Sequence, residues 1–170
     1  MGLKMRIFLA FPLCLALLAC ATNPKPYIIT AAFDAAKAKQ LLQDGPNTIQ
    51  GNAFMRQVGG GIVTCAGAPV QLVPATEYTD ERMMAVYGPV ESGRHKIIRD
   101  FGARNDDYER LVRTTTCDSA GNFQFSNVSD GDFYVVTVVA WSVRYSLQGG
   151  TLMHKVRVKN KQNVRLVLSS

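Results

Sequence analysis

Short runs in which apolar and polar residues alternate dominate the chain from Thr48 onward, and turn-forming residues separate them. Alternation with a period of two is typical of strands that bury one face, and Gly, Asn and Asp between the runs indicate turns. The predicted strands are Ile49–Val58, Ile62–Cys65, Val70–Val73, Tyr108–Cys117, Phe123–Phe125, Asp132–Val143, Thr151–Val158 and Asn163–Leu168. Strands of this length and spacing predict a mainly β fold, a small β-sandwich of the immunoglobulin-like type with about seven strands.

One helix is predicted before the strands. Thr30 can cap a helix over Ala31–Gln43, which is rich in Ala, Lys, Gln and Leu, and Gly45-Pro46 follows it. These residue types favour a helix, and a Gly-Pro pair ends one. We therefore expect an N-terminal helix in segment 31–47 that lies against a sandwich domain, residues 48–170.

A second helix is predicted within an insertion, residues 74–107. Thr79-Asp80-Glu81 places two acids in the first turn of a short helix that extends through Val86, and Gly88 follows its end. Acids favour a helix N-terminus and glycine favours its end. The polar residues 91–107 are expected to form a long loop.

The N-terminus has the pattern of an export signal. Lys4 and Arg6 precede an apolar run, Ile7–Cys20, whose fourteen residues are too few to span a bilayer as a helix. The end of this run, Leu17-Leu18-Ala19-Cys20, resembles a bacterial lipobox. The resemblance implies a signal peptide over residues 1–19, lipidation of Cys20 and a tether over residues 20–30.

The same resemblance implies a location in the bacterial cell envelope. Ala21, rather than Asp, follows the lipidated cysteine, which in Gram-negative lipoproteins favours the outer membrane. We expect a protein held at that membrane by its lipid and facing the periplasm. An exported protein has no access to nucleic acid, so nucleic acid is not an expected partner.

Composition and charge narrow the class of protein further. The 170 residues are 47% hydrophobic and 19% charged, which excludes both a disordered polar chain and a protein with many membrane spans. Removal of residues 1–19, which carry Lys4 and Arg6 and no acid, lowers the formal net charge from +6 to +4. The domain is therefore moderately basic.

The cysteines predict one disulfide. Cys14 lies in the predicted signal peptide and Cys20 is the predicted lipid acceptor, which leaves Cys65 and Cys117. A pair of cysteines in an exported domain is most simply a disulfide. The chain has no C-x-x-C spacing for zinc or redox chemistry, so no metal is expected.

The run from Gly121 to Val136 carries a family resemblance. Gly121, Phe123, Phe125, Val128, Gly131, Phe133 and Val135 are similar to the G-x-F-x-F-x-x-V-x-x-G-x-[YF]-x-V signature of carboxypeptidase regulatory-like domains. Gly51, Gly67 and Val70-Gln71-Leu72 are similar to the family's opening strands. The resemblance implies a transthyretin-like sandwich that serves as a binding or scaffold module. It carries no peptidase activity, because the chain has no room for the zinc catalytic domain.

Enzymatic activity is not expected. A serine–histidine–aspartate arrangement would need His95 or His154 as its base, both of which we expect at the surface, and the chain has no G-x-S-x-G turn. Gly59-Gly60-Gly61 lacks the lysine that follows in a phosphate-binding loop, so it is interpreted as a turn. No cofactor is expected.

Two surfaces are candidates for binding. Lys155, Arg157 and Lys159 alternate with valines and would share one face of a strand, where they could contact anionic lipid, a glycan or an acidic polymer. Alternatively, they only solvate that face. Tyr78, Met83, Met84 and Tyr87 in the insertion suit contacts with a protein, or they cover one open end of the sandwich core.

Two functions follow from these surfaces. The first is a non-catalytic envelope protein that binds or organises another envelope protein, and the alternative is a module that binds carbohydrate or an acidic polymer. An exposed Trp141 or a group of exposed tyrosines would favour the second function. A buried Trp141, with the methionines and tyrosines of the insertion facing outward, would favour the first.

Overall fold

The computed structural model describes residues 26–95, 100–103 and 105–170. The predicted signal peptide, Cys20 and most of the predicted tether lie outside these residues. The described helices are α1 (Ala35–Leu41), α2 (Glu77–Tyr87) and α3 (Asp106–Arg110). The described strands are β1 (Asn47–Arg56), β2 (Ile62–Thr64), β3 (Pro69–Pro74), β4 (Ser92–Arg94), β5 (Arg113–Thr116), β6 (Asn122–Val128), β7 (Gly131–Val143), β8 (Ser146–Val158) and β9 (Asn163–Leu168).

Strand β1 is the centre of a four-stranded sheet. β6 pairs with it antiparallel and β9 pairs with it in parallel over residues 48–53. β2 pairs antiparallel with residues 54–56 at the end of β1. The parallel pair is possible because the chain crosses from the other sheet between β8 and β9, rather than turning back within one sheet.

The second sheet has five antiparallel strands in the order β4-β8-β7-β3-β5. Its longest feature is the β7–β8 hairpin, whose strands pair from Gly131 and Val158 up to Val143 and Ser146. Only Arg144 and Tyr145 remain for the turn, and Arg144 adopts a φ of 54°. A turn this short holds the two strands in one register.

The two sheets enclose one main core. Alternate residues of β1 and β6 point into it, and their polar neighbours point to solvent. The largest fully buried side chains are Phe133, Ile49, Met55, Leu72, Leu152, Met153, Leu168, Val70, Val128, Val135, Val139 and Val158. Gly121 turns the chain into β6 with a φ of +82°, where a Cβ would lie 2.7 Å from the Cβ of Thr64. Only glycine fits both the backbone conformation and this close approach.

The mainly β prediction, with an N-terminal helix and a helical insertion, is confirmed, and the structure adds strands to the expected number. β2 and β4 are each three residues long. β4 lies in the segment expected to be a loop, where pairing with β8 holds it although its sequence, Ser-Gly-Arg, has no strand pattern. Short edge strands of this kind depend on a long neighbour for their hydrogen bonds.

Several predicted boundaries are wrong. The N-terminal helix covers Ala35–Leu41 and not residues 31–43, because Asp34 and not Thr30 caps it by accepting a hydrogen bond from the amide of Lys37. The predicted strand 108–117 is divided into helix α3 and strand β5, because Asn105 caps a helical turn. Helix α2 begins two residues early, because Thr76 caps it.

The predicted disulfide is present. Cys65 follows β2 and Cys117 follows β5, so the bond joins the two sheets, with the two Cα atoms 5.8 Å apart. Both cysteines are buried. Within the described part of the chain, no helix is long and apolar enough to cross a bilayer.

Candidate ligand-binding site

Helices α2 and α3 cover the outer face of the five-stranded sheet. A second apolar cluster lies between them and the sheet, formed by Val73, Ala75, Met83, Tyr87, Tyr134 and Met153. Strand β7 therefore contributes alternate side chains to two cores, since Phe133 and Val135 face the main core and Tyr134 faces this one. This explains why its sequence is apolar on both faces.

The sequence of α2 specifies where the helix begins and which face it buries. The Thr76 hydroxyl accepts a hydrogen bond from the amide of Thr79, and Glu77 and Asp80 lie in the first turn. Met83 and Tyr87 are four residues apart, so both side chains point down to the sheet. Gly88, with a φ of +81°, ends the helix.

An aromatic cluster joins α2, α3 and the N-terminal segment. The ring centres of Phe33 and Tyr78 are 5.5 Å apart, those of Phe33 and Tyr108 are 5.8 Å apart, and those of Tyr78 and Tyr108 are 5.2 Å apart. The guanidinium of Arg82 lies 5.0 Å from the centre of the Tyr108 ring and 4.0 Å from that of Phe101. Burial is the main reason that the pKa of Tyr108 is raised to about 12.

The N-terminal segment, residues 26–33, lies along α2 and is held by Glu81. The Glu81 carboxylate accepts hydrogen bonds from the amides of Thr30 and Ala31, each at 2.9 Å, and from the Thr30 hydroxyl at 3.0 Å. The bond from the Thr30 amide is the largest cause that lowers the pKa of Glu81. The carboxylate is therefore held in its charged form, in which it accepts these bonds.

A cavity of about 710 Å³ opens between α2, α3 and the sheet. Its apolar part is formed by Val73, Met83, Val86, Tyr87, Tyr108, Val112 and Val136, and its polar part by Gln71, Arg82, Asp106, Glu109 and Arg110. The volume lies within the range of small-molecule sites in proteins. Because apolar and polar side chains line the same cavity, the arrangement suits a ligand with both apolar faces and hydroxyl or charged groups.

The charges around the cavity include both signs. Arg110 binds Asp107 at 2.8 Å, an exposed pair on α3, and this hydrogen bond raises the pKa of Arg110. Arg82 is held in place by its stacking on two aromatic rings. A guanidinium fixed in this way can donate hydrogen bonds to a ligand without a large loss of side-chain entropy.

Lys155, one of the predicted binding residues, belongs to a polar group beside α2. Its Nζ donates to Asp80 at 3.0 Å, and the Tyr134 hydroxyl donates to the same carboxylate oxygen at 2.5 Å. Burial alone would lower the pKa of Lys155, but its hydrogen bonds with Asp80 and Tyr134 outweigh burial and raise it. Burial first, and the bond to Asp80 second, raise the pKa of Tyr134 to about 12.

The other two predicted cations differ in their surroundings. Arg157 lies on the same face of β8 as Lys155, as predicted, and binds Asp132 through two hydrogen bonds of 2.6 and 2.9 Å. These bonds are the largest cause that lowers the pKa of Asp132. Lys159 lies one residue beyond the end of β8 and is exposed. The face therefore carries less unpaired positive charge than its sequence suggests.

The predicted residues of the insertion are mostly buried. Tyr78, Met83 and Tyr87 are at most 8% exposed, whereas Met84 is 53% exposed. The insertion thus covers the outer face of the five-stranded sheet, and not an open end of the sandwich core as one interpretation of its sequence expected. Trp141 is half-buried against the main core and so does not discriminate between the two functions.

The two histidines have different environments. The Nδ1 atom of His95 accepts a hydrogen bond from the amide of Thr151 at 3.2 Å. His154 is half-buried, contrary to the expectation that it lies at the surface, because β8 turns it toward the side of the sheet that faces the core. Its Nδ1 is buried without a hydrogen-bond partner among the described residues, and burial lowers its pKa. No group of three or more His, Cys, Asp or Glu in the described part of the chain is placed to hold a metal ion.

Sequence reasoning missed part of the cavity. Gln71 and Val136 lie on neighbouring strands at directly paired positions and face the same side. Glu109 and Arg110 belong to α3, which was predicted as a strand. The capping asparagine, Asn105, was the available signal for a helix there, since it precedes two acids that favour a first helical turn.

Comparisons with known proteins show the fold. No protein-family model and no curated protein matches the chain. Among solved structures, a protein from Pseudomonas aeruginosa that is provisionally described as a carbohydrate binding protein is 23% identical, with a TM-score of 0.66, over 82% of this chain and 99% of that chain. A minor pilin of Streptococcus agalactiae is 14% identical, with a TM-score of 0.38, over 75% of this chain and 44% of that chain. The first likeness shows that the two chains share the sandwich fold.

Proposed function

We propose that this protein is a non-catalytic binding protein of the bacterial cell envelope that takes a carbohydrate in the cavity between α2, α3 and the five-stranded sheet. The cavity itself carries the proposal. Sugars present an apolar face of C–H groups and an edge of hydroxyls, and the cavity is lined by valines and tyrosines together with Gln71, Arg82 and Glu109. The carbohydrate binding provisionally assigned to the Pseudomonas protein of the same fold supports this choice.

Binding is tested by screening the purified protein against a library of oligosaccharides and measuring the best ligand by calorimetry. Val136→Phe places a phenyl ring on the floor of the cavity. We expect it to weaken binding at least about tenfold, which corresponds to about 1.4 kcal/mol. Gln71→Ala, which removes a hydrogen-bonding group beside it, should weaken binding less.

The matched control is Val167→Phe, which makes the same exchange on the exposed face of the other sheet. It should leave both affinity and fold unchanged. The proposal is wrong if no oligosaccharide binds. Loss of binding in Val167→Phe but not in Val136→Phe would instead show that the ligand binds at the four-stranded sheet.

The envelope location rests on the lipobox and is a separate part of the proposal. Cells fed labelled palmitate should incorporate it into the wild-type protein, because Cys20 accepts the lipid. Cys20→Ala should remain an unlabelled precursor, since its thiol is absent. Equal labelling of the two proteins, or normal processing of the variant, would contradict the lipid anchor.

A protein partner is the second candidate. Met84 is 53% exposed and Val90 is 36% exposed, and both line a smaller cavity of about 260 Å³ beside Pro89. An exposed methionine next to a shallow cavity suits a protein contact. A crosslinked envelope protein that is lost in Met84→Ser, with no effect of Val136→Phe, would favour this function over carbohydrate binding.

A further inference from the structure

Two turns at one end of the sandwich expose large apolar side chains. In the β7–β8 turn, Tyr145 is 106% exposed, and in the strand ends beside it Leu147 is 75% and Val143 is 49% exposed. In the β1–β2 turn, Val58 is 111% exposed, and Ile62, the first residue of β2, is 58% exposed. Isolated apolar side chains are common at protein surfaces, but a group on the turns of one end indicates a contact surface.

The two turns lie at the same end because β1 and β7 begin together. The side-chain amide of Asn47, at the start of β1, donates to the carbonyl oxygen of Val128 and to the carboxylate of Asp130, directly before β7. Both strands run away from this point. Val63, after the β1–β2 turn, and Trp141, before the β7–β8 turn, pack against the same core. We call the two turns, together with Val143, Leu147 and Ile62 in the strand ends beside them, the apolar end.

The charge at the apolar end is positive. Arg56 precedes the β1–β2 turn and Arg144 lies in the β7–β8 turn, and neither residues 47–68 nor residues 133–170 contain Asp or Glu. The β5–β6 turn carries Asp118, whose carboxylate accepts hydrogen bonds from the amides of Ala120 and Asn122 in its own turn. Apolar and aromatic side chains with cations and few acids suit the interface of a bilayer that contains anionic lipid.

Helix α2 runs toward the apolar end. Asp80, in its first turn, contacts Tyr134 near the start of β7, whereas Tyr87, at its end, interacts with Thr151, further along the hairpin. α2 therefore runs in the same direction as β7.

The N-terminal segment runs in the opposite direction to α2. Phe33 contacts Tyr78, and Thr30 binds Glu81, one turn further along the helix. Within the described residues, Thr30 therefore lies nearer the apolar end than Phe33 does. Five residues lie between Cys20 and Pro26, so the chain between them spans at most about 22 Å.

We propose that the apolar end contacts the bilayer and inserts the side chains of Tyr145, Leu147 and Val58 into its interface. The inference goes beyond carbohydrate binding and rests on the proposed lipid anchor only for the closeness of the membrane. Contact at this end holds the strands upright on the membrane. The ligand cavity, which lies on the outer face of a sheet, then stays open to the side.

The chain contains a single tryptophan, so its fluorescence can report on the contact. The full lipidated protein is reconstituted into vesicles of phosphatidylethanolamine and phosphatidylglycerol that carry a quencher on the acyl chains. In a Trp141→Phe background, Tyr145→Trp places the fluorophore at the apolar end. Lys159→Trp is the matched control, since Lys159 is exposed at the other end of the hairpin.

In the vesicles that carry the quencher, we expect the tryptophan at position 145 to lose most of its emission. Its remaining emission should shift to shorter wavelength. The emission of the tryptophan at position 159 should change little. The double substitution Val58→Ser/Leu147→Ser should reduce the quenching at position 145. Equal quenching at both positions, or none at position 145 in protein that floats with the vesicles, would overturn the inference and leave the anchor intact.

Failure of the anchor gives a different result. Protein that does not float with the vesicles contradicts lipidation. In that case the inference is tested by itself with vesicles added in excess. Quenching at position 145 then supports it, and the absence of quenching contradicts it. The emission at position 145 could also shift to shorter wavelength without lipid, to an extent that depends on protein concentration. That result would mean that the apolar end contacts a second copy of the chain, and it would contradict the inference.

Discussion

The double variant Cys65→Ala/Cys117→Ala should unfold with a free energy about 4 kcal/mol lower than that of the wild type. The bond connects residues 52 apart in sequence, so it removes many conformations from the unfolded chain. For a domain of this size, the melting temperature should fall by about 8–16 °C. Equilibrium unfolding in guanidinium chloride measures the difference.

The double variant should still fold. The chain around the bond keeps its own hydrogen bonds, from the amide of Gly67 to the carbonyl of Cys117 and from the amide of Cys117 to the carbonyl of Ala68. These bonds extend the pairing of β3 with β5 and hold the chain around Cys117 without the sulfur atoms. A loss of less than about 1 kcal/mol would show that the bond constrains the unfolded chain far less than its loop length implies.

Phe133→Ala should lower the free energy of unfolding by about 3–5 kcal/mol, as is typical when a buried aromatic ring is removed from a core. Phe133 is fully buried between the sheets, and its ring packs beside Gly131. The loss includes the transfer of the ring to water and the cavity that the surrounding strands cannot close. Urea unfolding of the variant and the wild type measures it.

Tyr145→Ala is the matched control for this change, because it also removes an aromatic ring but at a position that is fully exposed. Its effect on the free energy of unfolding should stay within about 0.5 kcal/mol. Equal losses in the two variants would contradict the assignment of Phe133 to the core. An effect this small would also mean that variants at the apolar end can be interpreted without a correction for lost stability.

The β architecture could be predicted because it depends on local patterns. The alternation in β1, the glycine that turns the chain into β6 and the apolar run of β7 each reflect the geometry of a single strand or turn. Phe123, Phe125 and Phe133, which carry the resemblance to carboxypeptidase regulatory-like domains, are buried. The family itself stays a prediction.

The candidate site could be predicted only in part. Met83 and Tyr87 were identified in the insertion and do line the cavity, because a methionine and a tyrosine four residues apart share one face of a helix. Their orientation toward the sheet could not be predicted, since it depends on where the helix docks. The acid partners of Lys155 and Arg157 lie 75 and 25 residues away and become neighbours only through the fold.

The sequence by itself determined the β fold class, the two helical segments and the disulfide, because each follows from the local spacing of residues or from the number of cysteines. Only the tertiary structure decided which strands are neighbours, where the cavity opens, which cations are paired and which turns share one end. These features depend on the register between strands and on contacts between segments far apart in the chain. Local propensity is weak compared with such contacts, so it cannot specify them.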